Sequence, residues 1–70
     1  MYKEVFKHRI IQARKENGLS QRDVAEKLKI SKSTIASYES GRTEPDLETL
    51  GKLSQLYCHT IDYFLGLADD

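Results

Sequence analysis

The spacing of helix-breaking residues limits this chain more than any other feature of its sequence. Gly18, Gly41, Pro45 and Gly66 divide 70 residues into short segments, and no window alternates apolar and polar residues over the several positions that a half-buried strand needs. An all-α architecture of five short helices is the expectation. A chain of this length encloses one small hydrophobic core, so residues 1–70 are read as one domain.

The first helix is predicted over about residues 3–16, with Phe6, Ile10 and Ala13 on one face and Tyr2 and Asn17 extending it. Gly18 follows as a stop that takes positive φ at little cost. Ser20 reads as an N-cap, with Asp23 three residues on in a weak capping-box arrangement, and opens a helix that turns Val24, Ala25 and Leu28 inward. After a short turn at Leu28-Lys29-Ile30, Ser31 caps a third helix with Ile35 and Tyr38 inward, which stops at Ser40-Gly41. Thr43-Glu44-Pro45 is a loop, because proline biases the residue before it away from helix. Asp46 caps a fourth helix with Leu47, Leu50, Leu53 and Tyr57 on its apolar side. Thr60 caps a short fifth carrying Ile61, Phe64 and Leu65 before Gly66.

Composition excludes several classes. A single cysteine, Cys58, permits no intramolecular disulfide, and no apolar run approaches the roughly 20 residues that span a bilayer. The opening Met1-Tyr2-Lys3-Glu4 lacks the apolar stretch of a signal peptide, so a cytoplasmic location is expected. Cys58-His59 supplies two potential ligands where structural zinc takes four, and His8 lies far off in sequence. No metal or other cofactor is expected, and His59 reads as a half-buried packing residue. No base is positioned to activate Cys58 and so small a helical domain offers little pocket, Glu44, Asp46 and Glu48 read as a solvated loop and helix start, and no glycine-rich phosphate cradle occurs. An enzyme is not expected.

Eleven basic and eleven acidic residues balance overall, but residues 1–42 carry +5 and residues 43–70 carry −5. A chain divided in this way can present a basic face to a polyanion while staying neutral as a whole. Clustering on a solvated surface gives the same arithmetic, and charge alone leaves both readings open.

Residues 20–40 hold two helices of about nine residues joined by three or four, which is the anatomy of a helix-turn-helix. In that motif the first helix braces against the DNA backbone and the second lies in the major groove. Lys32, Ser33 and Ser37 fall roughly on one side of the second helix, away from Ile35 and Tyr38. Small hydroxyl side chains allow close approach, and Lys32 can reach guanine O6/N7 or a phosphate. The same stripe also describes a merely solvated amphipathic helix.

The run Arg14…Gly18-Leu19-Ser20-Gln21-x-x-Val24-Ala25-x-x-Leu28-x-Ile30-Ser31-x-x-x-Ile35-Ala36-x-Tyr38-Glu39-x-Gly41-x-x-x-Pro45-x-x-x-x-Leu50 resembles the lambda-repressor/Cro-like (XRE) helix-turn-helix family over about residues 6–65. The resemblance implies a compact five-helix DNA-binding domain, with its core in that range and double-stranded DNA as its partner. By position it implies base-edge contacts from Lys32, Ser33 and Ser37, and backbone contacts from Gln21, Ser31, Thr34, Ser40, Arg42 and Thr43, with Gln21 also bracing the recognition helix. It further implies an internal ion pair, Arg14 with Glu39, that ties the first helix to the recognition helix 31–40.

Three positions depart from the family pattern. Lys29 stands where glycine or asparagine is common, so the turn either strains a side chain into positive φ or adopts another geometry. Ala13 replaces a usual leucine, and His59 a usual valine. The C-terminal run of Ile61, Tyr63, Phe64, Leu65 and Leu67 exceeds what one short helix hides, leaving open a dimer contact or packing on helices one and four. A homodimer would read a palindromic operator with half-sites about 34–36 Å apart. The expected function is a transcriptional regulator, acting as a repressor of bacterial or phage origin. The rival readings are an antitoxin or restriction-modification controller of the same fold, and a helix-turn-helix turned to protein–protein contact.

Overall fold

Ser20, Ser31, Asp46 and Thr60 each take extended backbone geometry, and each side chain accepts the backbone N–H three residues on. These bonds satisfy amide groups that a helix leaves without partners in its first turn, and they fix where four helices start. A computed structural model describes residues 2–69. Its helices are α1 (Tyr2–Glu16), α2 (Gln21–Leu28), α3 (Lys32–Ser40), α4 (Leu47–Tyr57) and α5 (Ile61–Leu65). At the start of α2 the capping box is complete: Asp23 N–H donates to Ser20 Oγ at 3.0 Å, and Ser20 N–H donates to Asp23 Oδ2 at 2.9 Å.

The chain turns left-handed at the ends of these helices. Lys29 adopts φ 60° and ψ 42°, so the strained alternative foreseen at this position is the one taken. Its N–H and that of Ile30 both close on the Ala25 carbonyl. Cys58 does the same at the end of α4 with φ 60°, which the sequence had not marked.

Phe64 sits at the centre, fully buried. Its ring meets Phe6 and Tyr57 edge-on, each at 6.2 Å between centroids, and Tyr63 at 5.4 Å. Such pairs contribute about 0.5–1.5 kcal/mol each beyond area burial. Ile10, Ala13, Val24, Ala25, Leu28, Ile35, Tyr38 and Leu53 complete the core, with Leu19, Ile30, Leu50 and Leu56 packed against it. Within this arrangement α1 lies against both α3 and α5, and α2 lies against α3.

The apolar stripes are shorter than the sequence suggests. Leu47 is 86% exposed rather than part of the α4 core face. It belongs to the first turn of that helix, and the residues before it, 43–46, carry no helical structure to cover it. Tyr2 and Asn17, expected to extend the α1 face, are both exposed, and Asn17 Nδ2 instead donates to the Ala13 carbonyl at 2.8 Å. Of the C-terminal apolar run, Tyr63 and Phe64 are buried, while Ile61 and Leu67 face solvent.

Candidate nucleic-acid interface

The orientation of α3 is set by a buried carboxylate. Glu39, 8% exposed, accepts from Arg14 Nε at 2.7 Å and Arg14 Nη2 at 3.2 Å, so the ion pair is two-pronged. Arg14 Nη1 donates to the Leu19 carbonyl at 2.9 Å, which ties the same guanidinium to the segment leading into α2. The hydrogen bond to Glu39 holds the Arg14 guanidinium above its ordinary pKa. Gln21 joins this group: its Nε2 donates to Glu39 Oε1 at 3.0 Å. One carboxylate thus binds α1 and α2 to α3. On the other flank Tyr38 is buried in the core, and that burial raises the pKa of its hydroxyl.

The outer side of α3 is differently made. Lys32 and Ser33 are exposed, and Thr34 and Ser37 are half-buried. Ser31 Oγ lies 3.0 Å from Ser33 Oγ and 2.7 Å from Thr34 Oγ1, and it also accepts the Thr34 N–H at 3.1 Å. Three hydroxyls therefore gather at the helix start, where the unpaired amide groups and helix dipole favour an anion.

At the other end, the Ser37 carbonyl accepts the Arg42 N–H at 3.0 Å, the Thr43 N–H at 3.3 Å and the Ser40 hydroxyl at 3.1 Å. These bonds draw residues 40–43 into a tight turn, while Ser40, Arg42 and Thr43 stay exposed. The structure thus brings Lys32, Ser33, Thr34 and Ser37 together on α3, with Ser31 before them and Ser40, Arg42 and Thr43 after. Gln21 stands apart from that ridge, its amide turned inward.

One role within the basic half escaped the sequence. Arg9 belongs to the basic half, yet it is spent internally: its Nη1 donates to the carbonyls of Tyr63 at 2.6 Å and Ala68 at 2.7 Å. Its guanidinium lies 4.4 Å from the centroid of the Tyr63 ring, which a cation stacks upon favourably. His59 is parallel to that ring at 3.9 Å, with its Nε2 3.5 Å from Glu16 Oε1, so it is a packing residue against Tyr63. Helical periodicity carries no information about a partner 54 residues away. The resemblance has Gln21 bracing the recognition helix; its partner there is Glu39, which nothing in the spacing marks.

No group of three or more His, Cys, Asp or Glu able to hold a metal occurs among the described residues. None of the described helices is long and apolar enough to cross a membrane.

A helix-turn-helix family model matches residues 10–63. The chain is 43% identical over 58 residues to the HTH-type transcriptional regulator ImmR of Bacillus subtilis, covering 83% of this chain and 46% of that protein. It is 38% identical over 53 residues to the cryptic phage CTXphi transcriptional repressor RstR of Vibrio cholerae, covering 76% of this chain and 48% of that protein. It is 35% identical over 61 residues to the HTH-type transcriptional activator BcrR of Enterococcus faecalis, covering 87% of this chain and 30% of that protein. The chain therefore spans less than half the length of each of these three relatives. With α2 and α3 as its paired helices and the matching model running from α1 into α5, the chain belongs to the XRE-type helix-turn-helix family.

Proposed function

We propose that this chain is a sequence-specific, double-stranded-DNA-binding transcriptional regulator, a binding domain rather than an enzyme, that lays α3 in the major groove. The observation that carries this reading is the asymmetry of α3. Its inner residues are buried, with Glu39 bonded to α1 and to α2, while Lys32 and Ser33 face solvent with no such ties. Lys32, Ser33 and Ser37 then read base edges, where a lysine donates to guanine and a serine hydroxyl donates or accepts. Ser31 and Thr34 meet a phosphate at the start of α3, and Ser40, Arg42 and Thr43 meet another after its end. Gln21 braces the recognition helix through Glu39 and offers its second amide hydrogen to the backbone.

The regulator works as a homodimer on a palindromic operator, in the cytoplasm of a bacterium or of a phage-infected cell, and represses by occupying promoter DNA. Exposed Leu47, Ile61 and Leu67 supply apolar surface for self-association, and a two-fold dimer presents two recognition helices about one DNA turn apart. Among its relatives, one is named as a repressor and one as an activator, so the sign of regulation is tested directly.

Selection of bound duplexes from a random pool, at stated salt, is the primary experiment. It returns a two-fold-symmetric consensus; recovery of unrelated sequences overturns the reading, and an asymmetric consensus overturns the dimer. Transcription from a promoter carrying the recovered site falls on adding the protein if it represses and rises if it activates. Arg42→Ala weakens binding to all duplexes alike and lowers the slope of log affinity against log salt by about one. A loss confined to particular sequences would remove Arg42 from the backbone contacts.

A further inference from the structure

Gly41 ends α3 with φ +81°, and a Cβ placed on it would stand 3.3 Å from Lys7 Cδ and 3.9 Å from Lys7 Nζ. The stem of Lys7 therefore lies across the turn that carries Ser40, Arg42 and Thr43. Its ammonium is held 3.1 Å from Glu4 Oε2, and the two side chains differ in setting: Lys7 is 27% exposed and Glu4 is 70% exposed. A lysine with its stem laid against the backbone of that turn is unlike the other lysines near α2 and α4. Lys27, Lys29 and Lys52 border an open groove between those two helices, and Lys52 pairs with Glu48 on its own helix.

We propose that Lys7 is a further DNA-backbone-binding residue, whose ammonium leaves Glu4 on association and joins Arg42 at the phosphates beside the 40–43 turn. The inference rests on the DNA-binding reading above and extends it to α1, a helix whose Arg9 and Arg14 are both turned inward. Three physical points carry it. The packed stem has already lost much of the rotamer freedom that a surface lysine gives up on binding. The present partner is a solvent-exposed carboxylate, and exposed ion pairs are weak. The replacement partner is a phosphate on a polyanion, where neutralisation also releases condensed counterions. In the free protein Glu4 keeps the charge oriented; on DNA it is a competitor.

The test measures affinity against salt for the wild type, Arg42→Ala and four further variants, on the selected duplex and on a scrambled one. Lys7→Met keeps the aliphatic stem and removes the charge. It weakens binding to both duplexes by about 3–10-fold near 0.1 M salt and lowers the salt slope by about one, with an unchanged melting temperature. Lys7→Arg restores the slope, Glu4→Gln tightens binding to both duplexes, and Lys52→Met leaves the slope at its wild-type value. A wild-type slope in Lys7→Met, alongside a reduced slope in Arg42→Ala, overturns the role of Lys7 and leaves the DNA-binding reading standing. An equal loss in Lys52→Met makes the effect one of net charge and overturns it too, as does weaker binding in Glu4→Gln. A lowered melting temperature that Lys7→Arg does not rescue assigns Lys7 to packing alone. Wild-type protein without salt-dependent DNA binding overturns both readings together.

Discussion

Ile35, Tyr38 and Glu39, on the inner side of α3, are buried, and Glu39 is bonded to both α1 and α2, whereas Lys32 and Ser33 on the outer side touch only solvent and neighbouring hydroxyls. Both sets belong to one nine-residue helix. The inner set decides how α3 is held and the outer set decides what it meets, and no hydrogen bond described above joins the two. Inner residues are therefore constrained by buried chemistry, while outer residues are free to change target with little effect on the fold. Charge shows the same division: Arg14 and Arg9 are turned inward, where they support structure, and Arg42 stays outside.

Glu39→Gln tests the inner side and has the largest expected effect. Glu39 accepts from three donors, two on Arg14 and one on Gln21. Whichever way a glutamine amide is turned, its own N–H₂ then faces a donor, and the Arg14 guanidinium, with its side chain 13% exposed, loses its countercharge. Removing one partner of a buried pair costs about 3 kcal/mol or more. At about 4–8 °C per kcal/mol for a domain of this size, the melting temperature falls by well over ten degrees. Affinity for every duplex falls with it, because the recognition helix is loosened as a unit. Unchanged thermal stability would show that α3 is held mainly by its apolar contacts.

Ser33→Ala and Ser37→Ala test the outer side. Each is expected to change stability by no more than about 0.5 kcal/mol, since neither hydroxyl holds another helix. Each relaxes discrimination between operator and near-operator duplexes by about 1–3 kcal/mol at the base pair concerned. Competition binding against single-base operator variants gives the number. A stability loss matching the binding loss would erase the distinction between the two sides, and unaltered discrimination would remove that serine from base reading.

How much of this was legible in the sequence follows the range of the forces involved. Caps act within three residues, so Ser20, Ser31, Asp46 and Thr60 marked their helices, and Gly41 and Gly66 marked two ends. Periodicity placed Phe6, Ile10 and Ala13 inward, but it cannot tell where a stripe runs off the edge of the body, and Leu47 was misread for that reason. The meeting of Arg14 with Glu39 was read from a family pattern and not from spacing. Contacts without such a pattern stayed hidden: Arg9 on the Tyr63 ring and Lys7 across Gly41 each depend on two segments meeting in space. Cys58 in left-handed geometry also gave no warning, because cysteine has no particular preference for that region.

Lys29 belongs to neither side of α3, and this gives the smallest and most discriminating expectation. It joins α2 to α3 at φ 60°, a region that costs a residue with a Cβ about 1–2 kcal/mol. Glycine there removes the strain but adds freedom to the unfolded chain, offsetting about 0.5–1 kcal/mol of the gain. Lys29→Gly is thus expected to stabilise by about 0.5–1 kcal/mol, a rise of a few degrees in melting temperature, with the same consensus recovered from a random pool. The backbone bonds from residues 29 and 30 to the Ala25 carbonyl persist, so the angle between the paired helices is kept. A reduced salt slope in this variant would place the Lys29 ammonium at a phosphate and extend the DNA-facing surface into the turn itself. A changed consensus would mean that the strain tilts α3, and then the inner and outer sides are coupled through this one residue.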